Sequence, residues 1–234
     1  MKFKQIATAI AASTGLVLAV QAAKARQQLG SQLLENESEE VDHDGPLSMV
    51  VFGDSLAVGL GADKYADTPG YVIAKRFGAK YRNYARSGAV SAELNSQIDK
   101  MDINPDICIL IVGTNDITHG KSMRIGIQHL SMAIDRLKQL DCVVFVVPCI
   151  DLEIVSSLKN PLRFVLGAIS RRYALLQSWS ATKAGAHVID PRPIYKVFDN
   201  KVLFSIDMFH PSSLGYKIIA EHIIKEIQLK VDFA

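Results

Sequence analysis

The chain has 234 residues, 49% of them hydrophobic and 21% charged, which suits one globular domain with a substantial core plus a short extension. Its 26 Lys and Arg against 24 Asp and Glu leave a net charge of +2, which gives no reason to expect nucleic acid or an acidic polymer as a partner. The three cysteines, Cys108, Cys142 and Cys149, form neither a metal spacing nor a disulfide framework, and each borders an apolar run, so buried thiols are expected.

Lys2 and Lys4 precede a charge-free stretch from Gln5 to Ala23, and Lys24 and Arg26 follow it. A basic start, an apolar stretch and small residues at Val20-Gln21-Ala22 read as an export signal cleaved after Ala22, or as a retained membrane anchor, over residues 1–26. Either reading places the protein outside the cytoplasm, secreted or held at the membrane by this segment. Residues 27–46 read as a flexible linker. Glu35 to Asp44 carry six acids and no Lys or Arg, too polar and self-repelling to fold, and Gly45-Pro46 closes the segment. The folded domain is expected over 47–234.

Leu47 to Phe52, apolar apart from Ser48, is a run stopped by Gly53-Asp54-Ser55, the pattern of a buried parallel strand. Thr68 is expected to cap a helix that has Pro69 at its first position and that Gly78 ends. Tyr81 to Ala85 is a second strand, followed by Gly88 and by a helix capped at Ser91 that runs to about Lys100. Ile107 to Val112 is a third strand, ending in Gly113-Thr114-Asn115-Asp116. A helix follows from Ser122 to Gln139, with Ile127, Leu130, Ile134 and Leu137 facing inward. Cys142 to Val147 is the fourth strand. Asn160-Pro161 opens a long helix to Lys183, whose inner stripe is expected to be Leu162, Val165, Leu166, Ile169 and Tyr173. Ile154, Val155, Leu158 and Phe164 are left over, lining either a substrate groove or a satellite cluster under the loop. Ala186 to Ile189 is the last strand, and Ser212 or Ser213 caps the terminal helix. Strands alternating with helices imply an α/β fold, a doubly wound parallel sheet of five strands with right-handed crossovers.

Ligands of such sheets bind beyond the carboxyl ends of the strands, where Ser55, Gly88 and Asn115-Asp116 fall. Ester hydrolysis needs a nucleophile, a base, a group that orients the base, and donors for the oxyanion. Ser55 can attack and His210 can take its proton. Asp207, three residues earlier, is near enough to hold the imidazole. Asn115 offers a side-chain N–H, and Gly88 lets a backbone N–H approach a ligand. Taken singly, each of these groups reads as an ordinary turn.

Gly53-Asp54-Ser55-Leu56, Gly88, Gly113-Thr114-Asn115-Asp116 and Asp207-Met208-Phe209-His210 together resemble, in order, the four blocks of the SGNH (GDSL-type) hydrolases, over about residues 47–228. The resemblance implies a flavodoxin-like three-layer α/β/α fold. It implies Ser55 as nucleophile, His210 as base and Asp207 as its partner. The N–H groups of Ser55 and Gly88 and the Asn115 side chain would form the oxyanion hole, with Asp116 holding its loop. The expected substrate is a small-molecule carboxylic ester, an acyl ester or something lipid-like. Carbohydrate O-acetyl hydrolysis, or an inactive binding module of the same fold, are the alternatives. His119 could touch substrate but is more simply incidental. His43, His129, His187 and His222 lack metal-ligand spacing, so no metal is expected. No cofactor is expected either. After Gly59-Leu60-Gly61, Asp63-Lys64 stand where a dinucleotide motif needs its third glycine, and there is no Walker-type loop.

Overall fold

The computed structural model describes residues 45–231. The expected export segment and all but the last two residues of the expected linker lie outside the described residues. Five strands, β1 (Ser48–Gly53), β2 (Lys80–Asn83), β3 (Ile107–Ile111), β4 (Val143–Val147) and β5 (His187–Val188), form one parallel sheet in the order β2-β1-β3-β4-β5. Met49 pairs with Ile107, and Ile107 with Val143, so the three central strands run in step and end together.

Both faces of the sheet are covered, which is why the central strands are apolar without alternation. Met49, Val51, Ile107, Ile109 and Phe145 point to one face. There they pack against helices α1 (Pro69–Phe77) and α5 (Ser213–Lys230) through Ile73, Ile223 and Ile227. Val50, Phe52, Cys108, Leu110 and Val144 point to the other. They meet α2 (Leu94–Ile98) and α3 (Met123–Lys138) through Leu94, Leu130, Ile134 and Leu137. Helix α4 (Leu162–Lys183) shares that side, joining the same cluster through Ala181. The result is the three-layer α/β/α arrangement. Among the described residues no helix is long and apolar enough to cross a membrane.

Three local expectations need correction. Thr68 precedes α1, but its hydroxyl donates to the Tyr65 carbonyl at 2.8 Å and does not cap the helix. Ser91 does not cap α2 either, because its hydroxyl goes to Asp116. The inner face of α4 is not the apolar stripe. Gly167, Ser170, Tyr173, Gln177 and Ser180 point inward with Leu162 and Ala181, while Val165 and Ile169 face solvent. The inward side chains are polar because they bind backbone. Gln177 accepts from the Cys149 N–H at 2.8 Å and donates to the Val112 carbonyl at 3.0 Å, and the Ser170 hydroxyl accepts from the Leu152 N–H at 2.9 Å. The cysteines are buried, with Cys108 and Cys142 Sγ atoms 3.1 Å apart.

Candidate active site

The turn that carries Ser55 is built at the end of β1. Gly53 has φ +142°, and a Cβ there would meet the Ile111 carbonyl oxygen at 1.9 Å, so only glycine lets β1 lie this close to β3. Asp54 then caps a single helical turn, Ser55–Val58, by accepting the Leu56 N–H at 3.0 Å. As the first helical residue, Ser55 leaves its own N–H without an intrahelical acceptor. Gln97, buried on α2, fixes the strand end: its Oε1 accepts the Gly53 N–H and its Nε2 donates to the Gly53 carbonyl, both at 2.8 Å.

Asp54 is fully buried, and its Oδ2 finds no hydrogen-bond partner among the described residues. Burial is the largest influence, and with the nearby Asp116 carboxylate it pushes the Asp54 pKa up to about 7. The Leu56 and Gly113 backbone N–H groups oppose this.

Asp207 and His210 sit on one loop, residues 204–211, closed by an antiparallel bridge between Phe204 and Pro211. Met208 adopts φ +55°, a left-handed conformation that costs a non-glycine residue some strain. With the loop in this form, one carboxylate oxygen of Asp207 accepts three bonds, from the Phe209 N–H and the His210 N–H at 3.0 Å and the Ser205 hydroxyl at 2.7 Å. The other oxygen lies 2.6 Å from His210 Nδ1, and His210 Nε2 lies 2.9 Å from Ser55 Oγ. All three residues are buried. Burial raises the Asp207 pKa, but the His210 ring, the Phe209 N–H and the Ser205 hydroxyl outweigh it and hold the carboxyl below the usual value.

The other two predicted residues meet through Ala89. The Asn115 amide donates one N–H to the Ala89 carbonyl at 3.0 Å, and an amide nitrogen has a second to offer. Gly88 adopts φ +77° with open space where a Cβ would be. Asp116 accepts from the Ser91 N–H at 3.2 Å and the Ser91 hydroxyl at 2.7 Å, so it ties its loop to the loop after β2 and stays out of the Ser55–His210 line. His119 is exposed at the end of the Thr114–Thr118 turn.

Val155 and Leu158 do not line a groove. They are buried with Leu152, Leu162 and Phe209 in a cluster under the loop after β4, while Phe164 is exposed. Of the four leftover residues Ile154 lines a cavity, one of about 50 Å³ whose other apolar and aromatic walls include Leu56 and Phe209, the neighbours of Ser55 and His210. The supporting roles of Asp54, Gln97, Gln177 and Ser205 were missed from sequence. A buried Gln or Ser on a helix or loop carries no local signal of what it binds.

Comparison with known proteins bears on the family and the fold. Residues 51–218 match the GDSL-like Lipase/Acylhydrolase family. A GDSL-like esterase of Mycobacterium tuberculosis is 29% identical over 188 residues, 74% of this chain; the chain spans 59% of that relative's length. Among solved structures, a lipolytic protein of the G-D-S-L family from Veillonella parvula superposes with a TM-score of 0.63 at 18% identity, covering 79% of this chain and 99% of that one. A catalytic variant of an acetylxylan esterase from Geobacillus stearothermophilus does so with a TM-score of 0.60 at 16% identity, covering 80% and 96%. The chain, with a sheet and strand-end loops of this form, belongs to the GDSL-like lipase/acylhydrolase family, the SGNH-type hydrolases.

Proposed function

We propose that the protein is a serine esterase that hydrolyses carboxylic esters, acyl or lipid-like, through an acyl-enzyme. The observation that carries this reading is the unbroken line from Asp207 Oδ2 through His210 to Ser55 Oγ, with steps of 2.6 and 2.9 Å. In the reaction His210 Nε2 takes the Ser55 proton as Oγ attacks the ester carbonyl. Negative charge develops on the carbonyl oxygen, and the N–H groups of Ser55, Gly88 and Asn115 stabilise it. The imidazolium returns its proton to the departing alkoxide, leaving an acyl group on Ser55. Water, deprotonated by His210, then releases the acid and restores the serine. Asp207 holds the imidazole with Nδ1 protonated throughout.

The apolar cavity beside Leu56 and Phe209 supports a pocket for a small acyl group. Carbohydrate O-acetyl hydrolysis would use the same residues; a panel of acyl esters and acetylated sugars distinguishes the two. Export, or anchoring through residues 1–26, belongs to the same proposal, on the strength of the charge-free stretch from Gln5 to Ala23. A fluorophosphonate probe tests the chemistry directly. It should label the wild type and leave Ser55→Ala unlabelled, and equal labelling of the variant would remove Ser55 as nucleophile.

A further inference from the structure

Helix α4 is built inside out. Its 22 residues turn Ser170, Tyr173, Gln177 and Ser180 to the interior, where Gln177 and Ser170 hold backbone atoms at the strand ends and Ser180 meets the Ser131 hydroxyl at 2.7 Å. Most of its large apolar side chains point outward instead. Phe164 is 63% exposed, Leu175 67% and Trp179 65%. At 100° per residue these three fall within about 60° of one another, and Val165, Ile169 and Leu176 widen the arc to about 140°. From Phe164 to Trp179 the stripe is roughly 22 Å long.

The charge on this helix is one-sided. It carries Arg163, Arg171, Arg172 and Lys183 and no acid. Arg171 is engaged by Asp151 and Glu153, but Arg172 falls within the apolar arc, and the Lys183 ammonium lies 5.2 Å from the Trp179 ring centre. A monomer rarely exposes this many large apolar residues in one patch without a use for them. Aromatic and aliphatic side chains interleaved with Arg and Lys fit the boundary between acyl chains and anionic headgroups, where apolar burial and charge attraction act together. At its first turn the inner face of the helix meets the loop of His210, since Leu162 packs in one buried cluster with Phe209.

We propose that the outer face of α4 docks the folded domain on an anionic lipid surface. The proposal is independent of the hydrolase reading and of whether residues 1–26 anchor the chain.

Trp179 is the single tryptophan of the chain, so its fluorescence reports this face alone. Full-length protein should be mixed with vesicles of phosphatidylglycerol and phosphatidylcholine. The emission should shift to the blue and acrylamide quenching should fall to about half, as expected for a ring taken into the headgroup region. High salt should reverse both effects, and Arg172→Gln should weaken binding about fivefold. The double variant Phe164→Ser/Leu175→Ser should need at least about tenfold more lipid for the same shift. It should keep the far-ultraviolet circular dichroism of the wild type and its rate on a water-soluble p-nitrophenyl ester. Four outcomes would overturn the proposal. One is protein that sediments with vesicles while Trp179 emission stays unchanged, which would mean binding through the upstream segment alone. Another is emission already blue and quencher-resistant without lipid, which would mean a face covered by the chain itself or by a second copy. The others are an equal shift with phosphatidylcholine alone, and a double variant that binds like the wild type.

Discussion

Gln97 and Gly53 are joined by a two-bond ring in which the side-chain amide replaces a strand neighbour, accepting from the Gly53 N–H and donating to its carbonyl, each at 2.8 Å. Gly53 lies two residues before Ser55, so this ring sets where β1 stops and where the Ser55 turn begins. Gln97→Leu keeps the approximate volume and leaves the buried Gly53 N–H unpaired, at a cost of ~1–3 kcal/mol, while the Gly53 carbonyl keeps the Arg86 N–H at 3.1 Å. Urea denaturation should show a loss of about 1–3 kcal/mol, with a fall in kcat as the Ser55 turn loosens. Unchanged stability would mean that water replaces the amide without cost.

The two neighbours Asn115 and Asp116 should separate kinetically. Asn115→Ala removes an aimed donor and should lower kcat by about 10²–10³, with a smaller change in KM. Asp116→Ala removes the acceptor for both Ser91 groups and should act first on stability, by about 1–3 kcal/mol. A loss of kcat below about threefold for Asn115→Ala, far under that range, would reduce Asn115 to a loop former.

Asp54 predicts a pH dependence of stability. The unfolded chain loses this proton near the ordinary 3.8 and the folded protein near 7. Between those values the folded state holds more protons, so stability is full below about 4 and falls as pH rises toward 7, then levels. The effect is on the order of 4 kcal/mol at most. Asp54→Asn retains an acceptor for Leu56 and cannot ionise. Its melting temperature should therefore drop less than that of the wild type between pH 5 and pH 8. Parallel curves for the two proteins would place the proton elsewhere.

The N-terminal reading is tested by fractionation. Full-length protein should reach the membrane or the exterior, and a chain lacking Met1 to Lys24 should stay in the cytoplasm. Full-length protein found soluble in the cytoplasm would remove the export proposal.

Much of the fold was legible because the central strands obey a simple rule. Leu47 to Phe52, Ile107 to Val112 and Cys142 to Val147 are apolar apart from Ser48 and end in turn formers, and the observed β1, β3 and β4 lie within a residue or two of those runs. Helix α3 followed its apolar stripe, with Leu130, Ile134 and Leu137 buried as expected and Ile127 partly so. Helix α4 did not, since the pattern rule assumes that inward means apolar. There the interior demanded hydrogen bonds for Cys149, Val112 and Leu152, and Gln177 and Ser170 supply them. The residues expected at the candidate site were legible as short blocks, and the geometry places Ser55, His210 and Asp207 in contact. The braces around them were not legible, because Gln97 meets Gly53 across 44 residues of sequence.

Asp207 and His210 are three residues apart on a single loop, whereas Ser55 and His210 are separated by 155. Asp207 and His210 are thus a local unit that a short segment can form early, and only Ser55 must be delivered from the far end of the domain. Closing so long a span is the costly, late kind of contact in a folding chain. In a refolding experiment, ester turnover would act as a clock for that closure. Helical signal would return while the chain was still inert, and the first hydrolysis would mark the arrival of β1 beside the loop that precedes α5.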